Sequence, residues 1–272
     1  MHKCYICIFK LLVMRKKALF VALLAIMLTL PGYAAWGHAT HRDVTARVLD
    51  SLPEAEREYY SAYAEEITEF STLPDIWRAQ EDPRGALEYH LSYPTGYGKG
   101  PEAAAVWYQK LVAAIASESY DEMALAAGVL SHYVGDALCA LHTDAYVPEH
   151  PIIERHVNEN VTWMAYEASM LQSRADVVAM VRSASLEAHG GYEPMVDACR
   201  EEQWDAVDAL VEVQLESYAS LYATLLCMAY EEAVGSEEAP MPEESGTETR
   251  FYALAAVAVV ILVTAVFAIN RR

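Results

Sequence analysis

The chain has 272 residues, of which 54% are apolar and 21% charged, with 39 acidic against 19 basic side chains. A sequence this apolar buries a core, so disorder is excluded as a description of the whole. Five cysteines are too few for a disulfide scaffold, and a formal net charge of −20 opposes association with a polyanion such as nucleic acid.

Residues 1–35 carry Lys3, Lys10, Arg15, Lys16 and Lys17 and no acidic residue. The apolar run Ala18 to Leu30 follows, then Pro31-Gly32-Tyr33-Ala34-Ala35. A basic start, an apolar stretch too short to span a bilayer and small residues at the exit predict a secretory signal over 1–35. Met14-Arg15-Lys16-Lys17 offers a compact alternative start. Cleavage after Ala35 frees Trp36 but leaves bulky Tyr33 three residues back. Cleavage after Ala34 suits the small-residue preference better and leaves Ala35 in front of Trp36.

The body reads as helix. Val44, Val48 and Leu52 repeat at four-residue spacing, and Ala124 to Leu141 is rich in Ala, Leu and Val without proline. Trp163 to Val181 and Trp204 to Tyr230 also place apolar residues at helical spacing. No stretch shows sustained period-two alternation. Residues 36–234 are therefore expected to form one all-α, multi-helix domain. Only two lysines, Lys99 and Lys110, fall in it, and its acidic excess reads as a solvated surface. Cys139, Cys199 and Cys227 fall on predicted helices as small buried hydrophobes.

An acidic stretch rich in Pro, Ser and Gly, residues 235–250, reads as a flexible linker. Phe251 to Ile269 follows, 19 residues whose only polar member is Thr264. At 1.5 Å per residue that makes roughly 28 Å, enough for a bilayer core, so 251–269 is expected to be a transmembrane helix. Arg271 and Arg272 place the short tail, 270–272, in the cytoplasm and the body outside the cell. A buried core helix is the rival reading.

There are nine histidines, and five of them carry the chemical signal. His132 and Asp136 lie four apart on a predicted helix, so both project from one face. His156 and Asn160 repeat that spacing, with Glu159 beside them. His142 follows His132 by ten residues. Asp75 and His90 flank a Pro/Gly break fifteen residues apart, and Trp36-Gly37-His38-Ala39-Thr40-His41 begins where the signal ends. Imidazole and carboxylate are ligands of a zinc site that keeps water. His38, His150 and His189 have no spacing partner and are expected to be exposed.

Taken jointly, these positions resemble the zinc-dependent phospholipase C and single-strand-specific nuclease superfamily, whose members hold three zinc ions in an all-helical domain. The resemblance runs from Trp36 to about Asn160. It implies a first zinc on Asp75, His90, His132 and bridging Asp136. It implies a third on Trp36, through its amine and carbonyl, with His41 and Asp136. The second would take His142 and His156, completed by Asn160, where the family places a carboxylate, or by Glu159. In the choline-specific phospholipases a Glu and two aromatics cage the headgroup. Ala39, Ile76 and Leu87 stand in those places here, so cation–π recognition of choline is not supported. Tyr93 and Tyr97, just after His90, offer an aromatic rim.

The expected activity is hydrolysis of a phosphodiester by zinc-bound hydroxide, with two to three Zn2+ as cofactors and Asp75 also orienting or deprotonating the water. A phospholipid or other small phosphodiester is the expected substrate, at the outer cell surface. The spacings of Trp36/His41 and Asp75/His90 leave a nuclease or nucleotidase as the alternative. Asn160 leaves a non-catalytic, metal-containing surface binding module.

Overall fold

The computed structural model describes residues 36–92, 94, 98–172 and 175–235, and no strand occurs among the described residues. In chain order the helices are α1 His38–Ser51, α2 Glu54–Ser61, α3 Ala64–Phe70, α4 Leu73–Ala79, α5 Leu87–His90 and α6 Gly100–Ala116. After them come α7 Tyr120–Leu138, α8 His150–Asn160, α9 Val177–His189, α10 Tyr192–Arg200 and α11 Trp204–Gly235. Short 3-10 turns cover Pro83–Gly85, Ala140–His142 and Val161–Trp163. The all-α expectation matches the structure. The expected signal, the linker beyond Gly235, the 251–269 membrane segment and the tail lie outside the described residues. Among those described, no helix is long and apolar enough to cross a membrane.

Helix α7 is the axis of the domain. From Val129 to Leu138 every residue is buried, so this helix is enclosed on all sides. Its three interior polar residues, Ser131, His132 and Asp136, are then the exceptions that need partners. α6 folds back on α7 through Ser117–Ser119, where Glu118 adopts a left-handed φ of 52°. α3 crosses α7 at Gly128. A Cβ there would lie 2.5 Å from the Ile67 carbonyl oxygen and 2.6 Å from Phe70 Cβ, so only glycine permits this approach.

α11 covers α7 from another side. The Tyr222 hydroxyl donates to the Ala127 carbonyl (3.1 Å), and the Tyr60 hydroxyl of α2 donates to the Leu226 carbonyl (3.1 Å). Gln214 Oε1 accepts the Ala140 amide at the break after α7. Cys139 is extended there, so the helix expected to run to Leu141 stops at Leu138.

The second departure is the stretch expected to be helical from Trp163 to Val181, which becomes helical only at Val177. Residues 164–172 run alongside α11 as a strap. The amides of Ala165, Ser169 and Leu171 donate to Glu212 Oε1, Ser220 Oγ and Thr224 Oγ1. Arg47 donates to the carbonyls of Val161, Thr162 and Met164. Backbone groups satisfied by distant side chains have no need of a helix.

Candidate metal centre

Four helices, α7 among them, bring ligand-type atoms together. On α7 itself, His132 and Asp136 face the same way, with His132 Nε2 at 3.1 Å from Asp136 Oδ2. α1 presents His41, whose Nε2 lies 3.3 Å from Asp136 Oδ1 and whose ring stacks on His132 at 4.1 Å. α5 ends on His90, with Nδ1 at 2.7 Å from Asp136 Oδ2 and 3.2 Å from His132 Nε2. α4, started by Pro74 in its first turn, presents Asp75, whose Oδ1 is 3.8 Å from His90 Nδ1. His41, Asp75 and His132 form one compact group of donors, and His90, His132 and Asp136 a second. All are fully buried except Asp75, which keeps 7% of its surface.

Burial without pairing marks this cluster. His41 Nε2, both Asp75 oxygens, His90 Nε2 and Asp136 Oδ1 are buried and make no hydrogen bond. Polar atoms left in that state cost about 1–3 kcal/mol each unless something else satisfies them. Meanwhile His132 Nδ1 donates to the Ser71 carbonyl at 2.8 Å, which leaves the Nε2 lone pair facing Asp136. That is how a metal-ligating histidine is oriented. Burial opposes charge on Asp136, yet His132 first, and then the His41 and His90 imidazoles around it, hold its carboxyl well below the usual range. Burial and then His132 push His41 down to about 4, so its ring is neutral and able to ligate.

A further group assembles beside it. His142, on the 3-10 turn after α7, places Nε2 at 3.8 Å from Glu154 Oε1, and His150 Nε2 lies 2.6 Å from the same oxygen. All three are buried, and their donor atoms converge. Burial lifts Glu154 to about 8, His142 opposes that rise, and Asp136 and Asp75 add to it, so the two clusters feel each other's charge.

Trp36 is fully buried, and its indole Nε1–H donates to the Gly135 carbonyl at 3.1 Å, one residue before Asp136. His41, Asp75, His90, His132, Asp136 and His142, all singled out in the sequence, thus gather in one region. His156, Asn160 and Glu159 do not join them. His156 Nε2 pairs with Asp208 Oδ1 at 2.7 Å and stacks on Trp204 of α11, while Asn160 turns back to the His156 carbonyl. Glu159 is exposed.

The residues missed are His150 and Glu154. His150, expected to be exposed, is 93% buried by its 7% exposure. His150 and His156 are six residues apart, about 120° round a helix, so α8 cannot turn both towards His142. The i, i+4 pair His150/Glu154 had the same spacing as His132/Asp136 and was the available signal. His38 is exposed as expected, but its Nε2 stands 3.5 Å from Asp75 Oδ2 at the edge of the cluster. His189 is half-buried against Thr143. Cys139, Cys199 and Cys227 are buried, as expected. Ala39, Ile76 and Leu87 are exposed and supply no aromatic cage.

The sequence model described as zinc dependent phospholipase C matches residues 40–225, well over half of the chain. The chain belongs to the zinc-dependent phospholipase C family. Among solved structures it is similar to the alpha toxin from Clostridium absonum, at 14% identity and a TM-score of 0.54. That match covers 78% of this chain and 66% of the toxin, and the likeness is one of fold. No curated protein matches the sequence.

Proposed function

We propose that this chain is a zinc-dependent phosphodiester hydrolase of phospholipase C type, acting outside the cell on a phospholipid. What carries the reading is the set of buried, unpaired imidazole and carboxylate atoms on α1, α4, α5 and α7, beside a second group on His142, His150 and Glu154. Neutral imidazoles and carboxylates fit zinc, and the mixture of N and O donors without thiolate fits a site that keeps water.

In this reading Asp75, His90, His132 and Asp136 hold one ion, and His142, His150 and Glu154 a second. His41 and Asp136, with Trp36 when its amine is free, hold a third. Bound zinc supplies a water acidified to about neutral pH and positive charge opposite the phosphate oxygens. The chain's own groups then do the rest. Asp136 holds its negative charge among three histidines. Ser71 fixes the His132 ring through its carbonyl. Asp75, the one member of the cluster that keeps some exposed surface, would orient the attacking water and accept its proton. The buried surroundings exclude bulk water, which strengthens each of these interactions.

The test is metal analysis of the purified full-length chain, with turnover of a phosphatidylcholine vesicle, a nucleotide phosphodiester and a simple aryl phosphodiester, each with and without chelator. Two to three zinc ions per chain and chelator-sensitive release of phosphorylated headgroup are expected. Turnover confined to the nucleotide substrate would replace the lipid reading, and a chain that holds no zinc would overturn the reading altogether.

A further inference from the structure

Four residues close a circuit of hydrogen bonds that begins and ends on His41. Thr45 Oγ1 lies 2.6 Å from the His41 carbonyl oxygen, one helical turn earlier. Ser131 Oγ lies 2.7 Å from Thr45 Oγ1, and the Tyr218 hydroxyl lies 2.7 Å from Ser131 Oγ. Tyr218 OH then lies 3.4 Å from His41 Nδ1. Thr45, Ser131 and Tyr218 sit on α1, α7 and α11, and all are buried.

The direction of this circuit is forced by proton counting. A carbonyl oxygen only accepts, so Thr45 spends its one hydroxyl proton on the His41 carbonyl. Thr45 Oγ1 is then an acceptor towards Ser131, and Ser131 spends its proton there. Ser131 Oγ in turn accepts from Tyr218, whose only proton is now used. What Tyr218 has left for His41 is an oxygen lone pair. The proton between them therefore belongs to His41 Nδ1.

We infer that Tyr218, Ser131 and Thr45 are positioning residues that hold His41 in the Nδ1–H tautomer, with the Nε2 lone pair turned towards Asp136 and ready for a metal ion. Two further observations agree with this. His41 Nε2 makes no hydrogen bond although Asp136 Oδ1 is 3.3 Å away, as a bare nitrogen facing a bare oxygen would not. Gly135 leaves room for the contact, since a Cβ there would come within 2.8 Å of the Tyr218 ring and 3.0 Å of His41 Cε1. Serving His132, the Ser71 carbonyl achieves the same end with one bond. At His41 no carbonyl fills that place, and a hydroxyl has to be made to accept by occupying its proton elsewhere.

The zinc-binding half of this inference rests on the proposed function; the tautomer does not. Nitrogen-15 NMR of the full-length chain, labelled at histidine and kept in chelator, reads the tautomer directly, with the His41 signals assigned by their loss in His41→Gln. The Nδ1–H form is expected in the native chain. Tyr218→Phe and Thr45→Val should each give a mixture of tautomers and lower affinity for the most weakly held zinc by about 10- to 100-fold. Thr45→Ser, which keeps the hydroxyl, should restore both. An Nε2–H tautomer in the native chain overturns the circuit, as does an unchanged tautomer in Thr45→Val. An Nδ1–H tautomer in a chain that binds no zinc supports the circuit and sinks the metal reading instead.

Discussion

His150 Nε2 and Glu154 Oε1 meet at 2.6 Å across one turn of α8, and His142 approaches the same carboxylate from the turn after α7. In the proposed second site this pairing would supply the carboxylate in place of Asn160. Glu154→Gln should therefore remove about one zinc ion per chain, counted by metal analysis, and reduce turnover by about two orders of magnitude or more. His156→Ala and Asn160→Asp should leave the metal count unchanged. If Asn160→Asp raised it instead, the second ion would sit on the other face of α8.

Asp136 touches His41, His90 and His132 at once. Asp136→Asn keeps the shape and removes the charge that two proposed sites share. The expected outcome is loss of more than one zinc ion and of nearly all turnover, while the far-ultraviolet circular dichroism stays helical. Near-native turnover would exclude Asp136 as a bridge.

Glu154 also sets a pH dependence. Its folded value of about 8 stands above the ordinary 4.5, so the folded chain keeps a proton that the unfolded chain releases. Its contribution to stability in chelator is complete below about pH 4.5 and is lost as pH rises towards 8. His41, lowered from 6.5 to about 4, contributes in the opposite sense, losing stability as pH falls through that window. Melting curves in chelator from pH 5 to 8 should thus show a decline with pH that Glu154→Gln flattens. With zinc present the decline should disappear, because the ion takes the proton's place.

Gly128→Ala tests the fold apart from the site. The new methyl group would meet the backbone of α3, which cannot yield as a flexible side chain does. Overpacking of this kind costs about 1–3 kcal/mol, measurable as a lower midpoint in urea at unchanged slope. Metal content in native conditions should remain that of the parent.

What was legible in the sequence follows the range of each signal. His132 and Asp136 share one helical face because three residues separate them, and no tertiary contact is needed to see it. His142 was legible as a candidate, but its direction was not: α7 stops at Leu138, where Gln214 takes the Ala140 amide across 74 positions. Whether His150 or His156 turns to His142 depends on how 143–149 leads into α8, and counting along the chain selected His156 where the structure turns His150. The strap before α9 was unreadable for a related reason. Its composition suits a helix, and only Glu212, Ser220 and Thr224, some 50 residues later, give its amides another use.

α11 contributes no atom to any of the three groups of metal-type donors, yet Tyr218, Gln214 and Tyr222 reach from it to His41, the turn carrying His142, and α7. Possession of the ligands and possession of the centre are thereby separate properties of this chain. A product ending near residue 200, whether from proteolysis or premature termination, would retain every His, Asp and Glu of the motif and score as a complete metalloenzyme by motif alone. With its buttress gone, His41 would lose its fixed tautomer and α7 its cover, and the fragment would be a zinc site in composition only.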